Sequence, residues 1–438
     1  AEGKARRLGQ ALMAVVAGGP TGRVYVVPDA KQEDVALNGP DSVLVADARS
    51  TFLAGQLPNR AGITGGVCSA YGLDTWGELF SARQIAALVM MSDLLKALPD
   101  EVAGIAAEAG MSSEDATAYA TTVATFLALN LDRCADLNNT LCTWNSSDEV
   151  LRNLFKRQAL PMVWDFAEAN FLADVVGGWT TCIERTAKCV ITLSSKNGGR
   201  AWQADAATGV SDVAGLVVST DPPYYDNIGY AALSDFFYVW LRRSIGGLHA
   251  DLFSTMLVPK DPELTATPVR FNGDREKAKE HFESGFRRAF SGLKDRLDSS
   301  FPLTVYYAFK QSDDGEDGGD DDEKGSVVDL TTGWETLLEA LISSGFTITA
   351  TWPVRASQKW RMVAKSANTL ASYIVLACRP RPADAPRVGR NAFVAELKRE
   401  LPPALRHLQQ GNVAPVDFAQ AAIGPGMAVF SRYNAVLE

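Results

Sequence analysis

Residues 214–225 read AGLVVSTDPPYY: an apolar run from Ala214 to Val218, then Ser219 and Thr220, and then Asp221, Pro222, Pro223, Tyr224 and Tyr225. A short apolar run closed by turn residues reads as a buried strand. The two prolines end it, because neither can donate to a ladder. In an open α/β sheet, ligands bind beyond the carboxyl ends of the strands, so a site is expected at this turn. A rigid turn would hold the Asp221 carboxylate and nearby carbonyl oxygens along one concave edge, an acceptor set that suits an amine. The competing reading is a strand-terminating turn in which Asp221 caps a helix and Tyr224 fills core, since Asp-Pro pairs are common at turns.

The surrounding chain supports an α/β arrangement. Further strands are expected at Arg200–Ala204, Leu303–Phe309, Thr347–Val354 and Ala371–Ala377. Between them, Ala278, Phe282, Phe286, Ala289, Phe290, Leu293 and Leu297 make one helical face, and Leu330–Ile342 makes a second helix that stops at Gly345. No helix-length apolar face separates the last two strands, so they are expected to pair antiparallel.

Upstream, the periodicity predicts helices over Ser81–Leu98, Ser113–Leu131 and about Asp148–Phe171, and a helix ending near Val16 before a strand at Val24–Val27. The expected organisation is a mainly helical region with a short strand segment (residues 1–190), an α/β domain (191–385) and a helical carboxy-terminal extension (386–438).

The chain has 438 residues, 47% hydrophobic and 21% charged. That length calls for more than one core. No apolar run approaches the roughly 20 residues that span a bilayer, so no membrane partner is expected. The opening Ala1-Glu2-Gly3-Lys4 has no secretory pattern and reads as the continuation of a longer protein. Six cysteines without two-residue spacing suggest reduced thiols and a cytoplasmic setting. His249, His281 and His407 are scattered, so no metal is expected.

Charge is uneven. Of the net −10, the acidic run Ser312–Lys324 (SDDGEDGGDDDEK) carries −7 and reads as a solvated loop, which leaves −3 for the rest of the chain. A local basic surface is therefore compatible with the total. Lys359, Trp360 and Arg361, within RASQKWRMVAK (Arg355–Lys365), interleave cations with an aromatic in the way that tracks a phosphate backbone and stacks a base. A solvated hairpin is the equal alternative.

The amine of adenine or cytosine is a poor nucleophile because its lone pair is delocalised into the ring. Hydrogen bonds from its protons to a carboxylate and a carbonyl favour a pyramidal nitrogen, so the enzyme supplies alignment and electrostatics. Tyr224 would stack on a base taken out of the duplex, and Tyr225 would pack similarly or line a cofactor cleft.

Asp-Pro-Pro-Tyr resembles the catalytic motif of amino-group DNA methyltransferases. The stretch DPPYYDNIGYAALSDFFYVWLRR (Asp221–Arg243) is similar to a large bacterial family of adenine-specific DNA methylases that carry a domain of unknown function and a zinc ribbon. So are YGLDTWGELFSARQ (Tyr71–Gln84), RQALPMVWDFAEAN (Arg157–Asn170) and AQAAIGPGMAVFSRY (Ala419–Tyr433). The resemblance implies a Rossmann-like methyltransferase sheet, partial here with its first strands missing. It also implies S-adenosylmethionine as cofactor and DNA as partner, with phage defence or restriction-modification as the setting. Residue by residue, Asp221, Pro222, Pro223 and Tyr224 would hold the target base, with Asp205 and Tyr225 on the cofactor side. For Asp205, in GRAWQADAATG, a plain turn is the open alternative. The glycine-rich cofactor turn of the family has no counterpart at Gly18-Gly19, Gly65-Gly66 or Gly424-Pro425-Gly426. The resemblance implies that it lies, with the zinc ribbon, in an amino-terminal half, and that half or defence-system subunits are expected partners. Cytosine methylation, or a cofactor-free recognition module, remain the alternatives.

Overall fold

The computed structural model describes residues 2–39, 42–58, 67–156, 158–193, 198–209, 213–223, 225, 228–307, 327–355, 372–410 and 424–438. In chain order the elements are β1 (Val15–Gly19), β2 (Gly22–Val26), α1 (Ala30–Leu37), α2 (Val43–Ser50), α3 (Ala82–Glu108), α4 (Ser113–Leu137), β3 (Thr143–Asn145), β4 (Val150–Arg152), α5 (Trp179–Thr192) and β5 (Ser219–Thr220). There follow α6 (Tyr230–Ile245), α7 (Arg275–Lys294), β6 (Leu303–Tyr307), α8 (Val327–Ser343), β7 (Phe346–Arg355), β8 (Ser372–Pro380), β9 (Arg387–Gly389), α9 (Arg390–Gln410) and β10 (Ala435–Leu437). The chain is a mixed α/β protein with small sheets. It divides into two compact units, Ala1–Ala201 with Gly229–Asp261, and Trp202–Ile228 with Pro262–Glu438.

The first unit is built on α3, α4 and α6. Helices α3 and α4 start where the sequence offers a cap. Ser81 and Gln84 form a reciprocal capping box at α3, and the Ser112 hydroxyl accepts from the Asp115 amide at α4. Ala116, Ala120, Ala124 and Ala128 recur every fourth residue on the buried face of α4, so a neighbouring helix can approach closely. Helix α6 buries Phe236, Val239 and Trp240 among aromatic partners. Phe80 stacks on Phe236 at 5.6 Å, and both Phe52 and Phe80 meet Trp240 edge-on. The buried Asp235 accepts from the Val258 amide and pairs with Lys260 at 2.7 Å.

Two expected helices are absent from this unit. Residues near Val16 form the β1–β2 hairpin, turned by the two-residue loop Pro20-Thr21 between Gly19 and Gly22. The Asp148–Phe171 stretch, taken from its spacing as helix, holds β4, which pairs back onto β3, and a short 3₁₀ turn at Leu154–Lys156. Asp136 explains the latter. Its carboxylate accepts from the Phe155 amide (2.8 Å) and the Asn153 side chain (2.7 Å), tying the loop down from α4.

In the second unit the four-stranded sheet has the order β5-β6-β8-β7. Strands β5 and β6 are parallel, while β6/β8 and β7/β8 are antiparallel, the latter as the short connection implied. Phe282, Phe286 and Phe290 from α7 and Trp334, Leu337 and Leu341 from α8 pack on Leu303, Val305, Tyr307, Phe346, Ile348 and Leu376. At the far edge, the Ile348 amide donates to the Ser431 hydroxyl at 2.9 Å.

Arg200–Ala204, expected as a strand, is irregular and exposed. After Gly198-Gly199 it offers only Trp202 as a large apolar group, too little to bury a strand. Among the described residues no helix is long and apolar enough to cross a membrane.

Candidate functional site

The motif strand is shorter and less buried than the sequence suggests. Leu216 makes an isolated parallel bridge to Leu297, giving its amide to the Arg296 carbonyl and accepting from the Asp298 amide, both at 2.9 Å. The Thr304 amide then donates to Val218 (3.0 Å), and Ser219 and Thr220 register with Thr304 and Val305. Side chains alternate along this run, with Leu216, Val218 and Thr220 half-buried and Val217 and Ser219 exposed. Val217 is 65% exposed, which corrects the expectation of a buried strand. The reason is position. Among the described strands β5 lies at one edge of the sheet, and only one of its faces meets the core, where Val218 joins the main cluster.

Pro222 and Pro223 have no amide hydrogen, and the ladder stops at Thr220. Asp221 lies at the carboxyl end of β5 and is exposed, next to the buried Pro222 and the half-buried Pro223. A buried proline under an exposed acid gives the carboxylate a fixed base. Tyr224 lies outside the described residues, as do Lys359, Trp360, Arg361 and the acidic run 312–324.

Tyr225 faces the core. Its backbone has a left-handed φ of 30°, which a tyrosine adopts only when its surroundings fix it. Three contacts do so. The ring meets Phe282 edge-on at 5.1 Å, the carbonyl accepts from the Ala266 amide at 3.0 Å, and α8 passes so close that a Cβ on Gly333 would stand 3.0 Å from the Tyr225 Cβ. Tyr307, at the carboxyl end of the neighbouring strand β6, is buried beside it and donates its hydroxyl to the Gly333 carbonyl at 3.4 Å. Burial pushes the Tyr307 hydroxyl well above the usual tyrosine range, so it stays a protonated donor.

A polar strip borders this turn. Thr265 and Thr267 are buried and joined through their hydroxyls at 3.2 Å. The Glu263 carbonyl receives Arg270 at 2.8 Å and makes a 3.0 Å contact with His281 Nε2. Sequence reading put Phe282 on a helical core face and Tyr307 in a strand, but it missed their place beside this turn, along with Gly333 and the polar strip. Alternation in LTVYY (Leu303–Tyr307) does put Tyr307 on the core face, but nothing local ties it to Tyr225.

Asp205 and Tyr225, assigned to the S-adenosylmethionine side, both make contacts within the protein. One Asp205 oxygen accepts from the Ala207 amide (2.8 Å) and the other from the Thr208 hydroxyl (2.9 Å), while its carbonyl receives the Thr208 amide. It is a self-capped turn residue that ends no strand. The Tyr225 ring is spent on the core. Among the described residues no group of three or more His, Cys, Asp or Glu side chains gathers as a metal site.

No family model, curated protein or solved structure matches the chain.

Proposed function

We propose that this chain presents the amine-acceptor edge of a DNA methyltransferase that modifies the exocyclic amine of adenine in phage defence or host DNA marking. One observation carries the reading: Asp221-Pro222-Pro223 stands at the carboxyl end of a strand that is parallel to its neighbour, where open α/β sheets take their ligands. The finer reading of this sheet as half of a Rossmann-like methyltransferase sheet rests on the same placement. Further strands with the cofactor turn would add at the outer edge of β5.

In this reading the Asp221 carboxylate accepts from one amine proton and the Pro222 carbonyl from the other, so the nitrogen lone pair is turned out of the ring. Tyr224 would stack on the base. Tyr225, Phe282, Gly333 and Tyr307 hold the turn from beneath. The methyl donor, S-adenosylmethionine, would need binding groups beyond Asp205 and Tyr225, which already make contacts within the protein.

A specific observation also favours the second reading, a recognition module without its own cofactor site, because both assigned cofactor residues are committed elsewhere. One experiment separates the two. DNA is incubated with the protein and isotope-labelled S-adenosylmethionine, then digested to nucleosides for mass spectrometry. Labelled N6-methyl-2′-deoxyadenosine that falls at least about a hundredfold in Asp221→Ala supports the enzyme. An unchanged yield in that variant sinks the assignment, and label on cytosine moves the substrate to the other amine. DNA binding without any label supports the recognition module.

A further inference from the structure

The first unit contains a cavity that the proposed chemistry does not use. It has a volume of about 390 Å³ and is lined by Lys96 from α3, Arg242, Arg243 and Val239 from α6, Gly246, Phe52, Phe253 and Met256. Its walls are of two kinds. Lys96, Arg242 and Arg243 bring three cations to one hollow, while Phe52, Phe253 and Met256 bring two aromatic rings and a thioether.

The cations are mostly uncompensated. Arg243 donates to Asp93 at 2.6 Å and lies over the Phe52 ring at 4.9 Å. Arg242 gives its Nε only a long 3.4 Å contact to the Phe253 carbonyl. Among the described residues no carboxylate lies within 4.0 Å of Lys96 or Arg242. The Arg243 Nε is buried and has no hydrogen-bond partner among the described residues. A buried donor left without a partner destabilises the fold, and three like charges around one hollow repel. Such an arrangement is stabilised by an anion.

The helices fix the hollow before any ligand arrives. Arg242 and Arg243 sit in the last turn of α6, which Trp240 anchors edge-on against Phe52 and Phe80. Gly246 closes that end, and a Cβ there would strike the Arg242 carbonyl. Met256, 63% exposed, marks the open side.

We infer that this cavity binds a nucleotide, the phosphate held by Lys96, Arg242 and Arg243 and the base set against Phe253 and Met256. Guanidinium forks match phosphate oxygens, and a bare anion would leave the apolar wall unused. The volume falls within the usual range for small-ligand sites, roughly 300–1,000 Å³. The same chemistry is met by a free mononucleotide or by one unit of a single strand. The inference is independent of the Asp221 reading, because every lining residue belongs to the first unit.

The test is calorimetric titration of the full chain with adenosine 5′-monophosphate, adenosine and inorganic phosphate, without a methyl donor. The monophosphate is expected to bind at least about tenfold tighter than either adenosine or phosphate. Arg242→Gln and Lys96→Gln should each weaken it by roughly ten- to a hundredfold, the worth of one charge-assisted hydrogen bond. Both variants are checked by circular dichroism, and the exposed Lys96 serves if Arg242→Gln fails to fold. Phe253→Leu should lower the preference for the nucleotide over phosphate. A short single strand that competes with the monophosphate assigns the site to nucleic acid, and lack of competition assigns it to the free nucleotide. No binding of the monophosphate, or equal affinity in both charge variants, overturns the inference.

Discussion

In the first unit, α4 meets its neighbours through Ala116, Ala120, Ala124 and Ala128. In the second, the sheet is covered by Phe282, Phe286, Phe290, Trp334 and a set of leucines. The polar atoms differ as well. Gln84, Ser92, Asn130 and Asp132 in the helical unit each have a buried side-chain atom without a hydrogen-bond partner among the described residues. In the sheet unit, Thr265 is joined to Thr267, and the Ser431 hydroxyl accepts from the Ile348 amide. Small side chains let helix backbones come close, so that unit is sensitive to added volume. Large side chains fill the space over the sheet, so that unit is sensitive to lost volume.

The largest effect is expected from Phe282→Ala. The ring is fully buried, stacked on Phe286 at 4.2 Å and edge-on to Tyr225. Its removal should cost the sheet unit about 3–5 kcal/mol, read by denaturant unfolding with hydrogen exchange on peptides from that unit. Ala128→Leu makes the opposite test in the helical unit, where Ala128 packs with Ala124 and Ile245. Overpacking there should cost about 1–3 kcal/mol, and a neutral result would mean that the close approach of α4 has slack.

Asp132 tests the polar side of the comparison. It is 7% exposed, one oxygen has no partner among the described residues, and burial pushes its carboxyl well above the usual carboxylate range. The folded state therefore binds the proton more tightly than the unfolded chain. Its contribution is fully present below the unfolded pKa, about 3.9, and is lost as pH rises through the higher folded value. Asp132→Asn should remove that slope and make the helical unit more stable than wild type by about 1–2 kcal/mol at neutral pH. Parallel stability curves for the two proteins from pH 4 to 8 would show that Asp132 does not titrate in this way.

The same contrast explains what could be read in the sequence. Helices α3, α4 and α7 were legible because caps and spacing agree over many turns, as at Ser81, Ser112 and Asp274. The Asp148–Phe171 stretch has helical spacing, but the distant Asp136 takes its donors, which no local pattern reveals. At the candidate site, the position of Asp221 after a strand followed from the apolar run Ala214–Val218 and the two prolines that close it. The shortness of β5 and the inward turn of Tyr225 depend on Thr304, Ala266, Phe282 and Gly333, all brought in by later elements.

Gly333→Ala asks how far that distant support matters, and its effect on stability is the smallest. Alanine favours the interior of α8 over glycine by about 1 kcal/mol. Against this, the new Cβ would stand 3.0 Å from the Tyr225 Cβ and 3.3 Å from its Cγ, so one of the two must give way by a few tenths of an ångström. The two effects oppose, and net stability should move by less than about 1 kcal/mol. The strain falls instead on the hydrogen bond from the Ala266 amide to the Tyr225 carbonyl. Faster exchange of the Ala266 amide, with unfolding otherwise unchanged, is the expected signature. Unchanged exchange would show that the turn after Asp221 is held by its prolines rather than by α8.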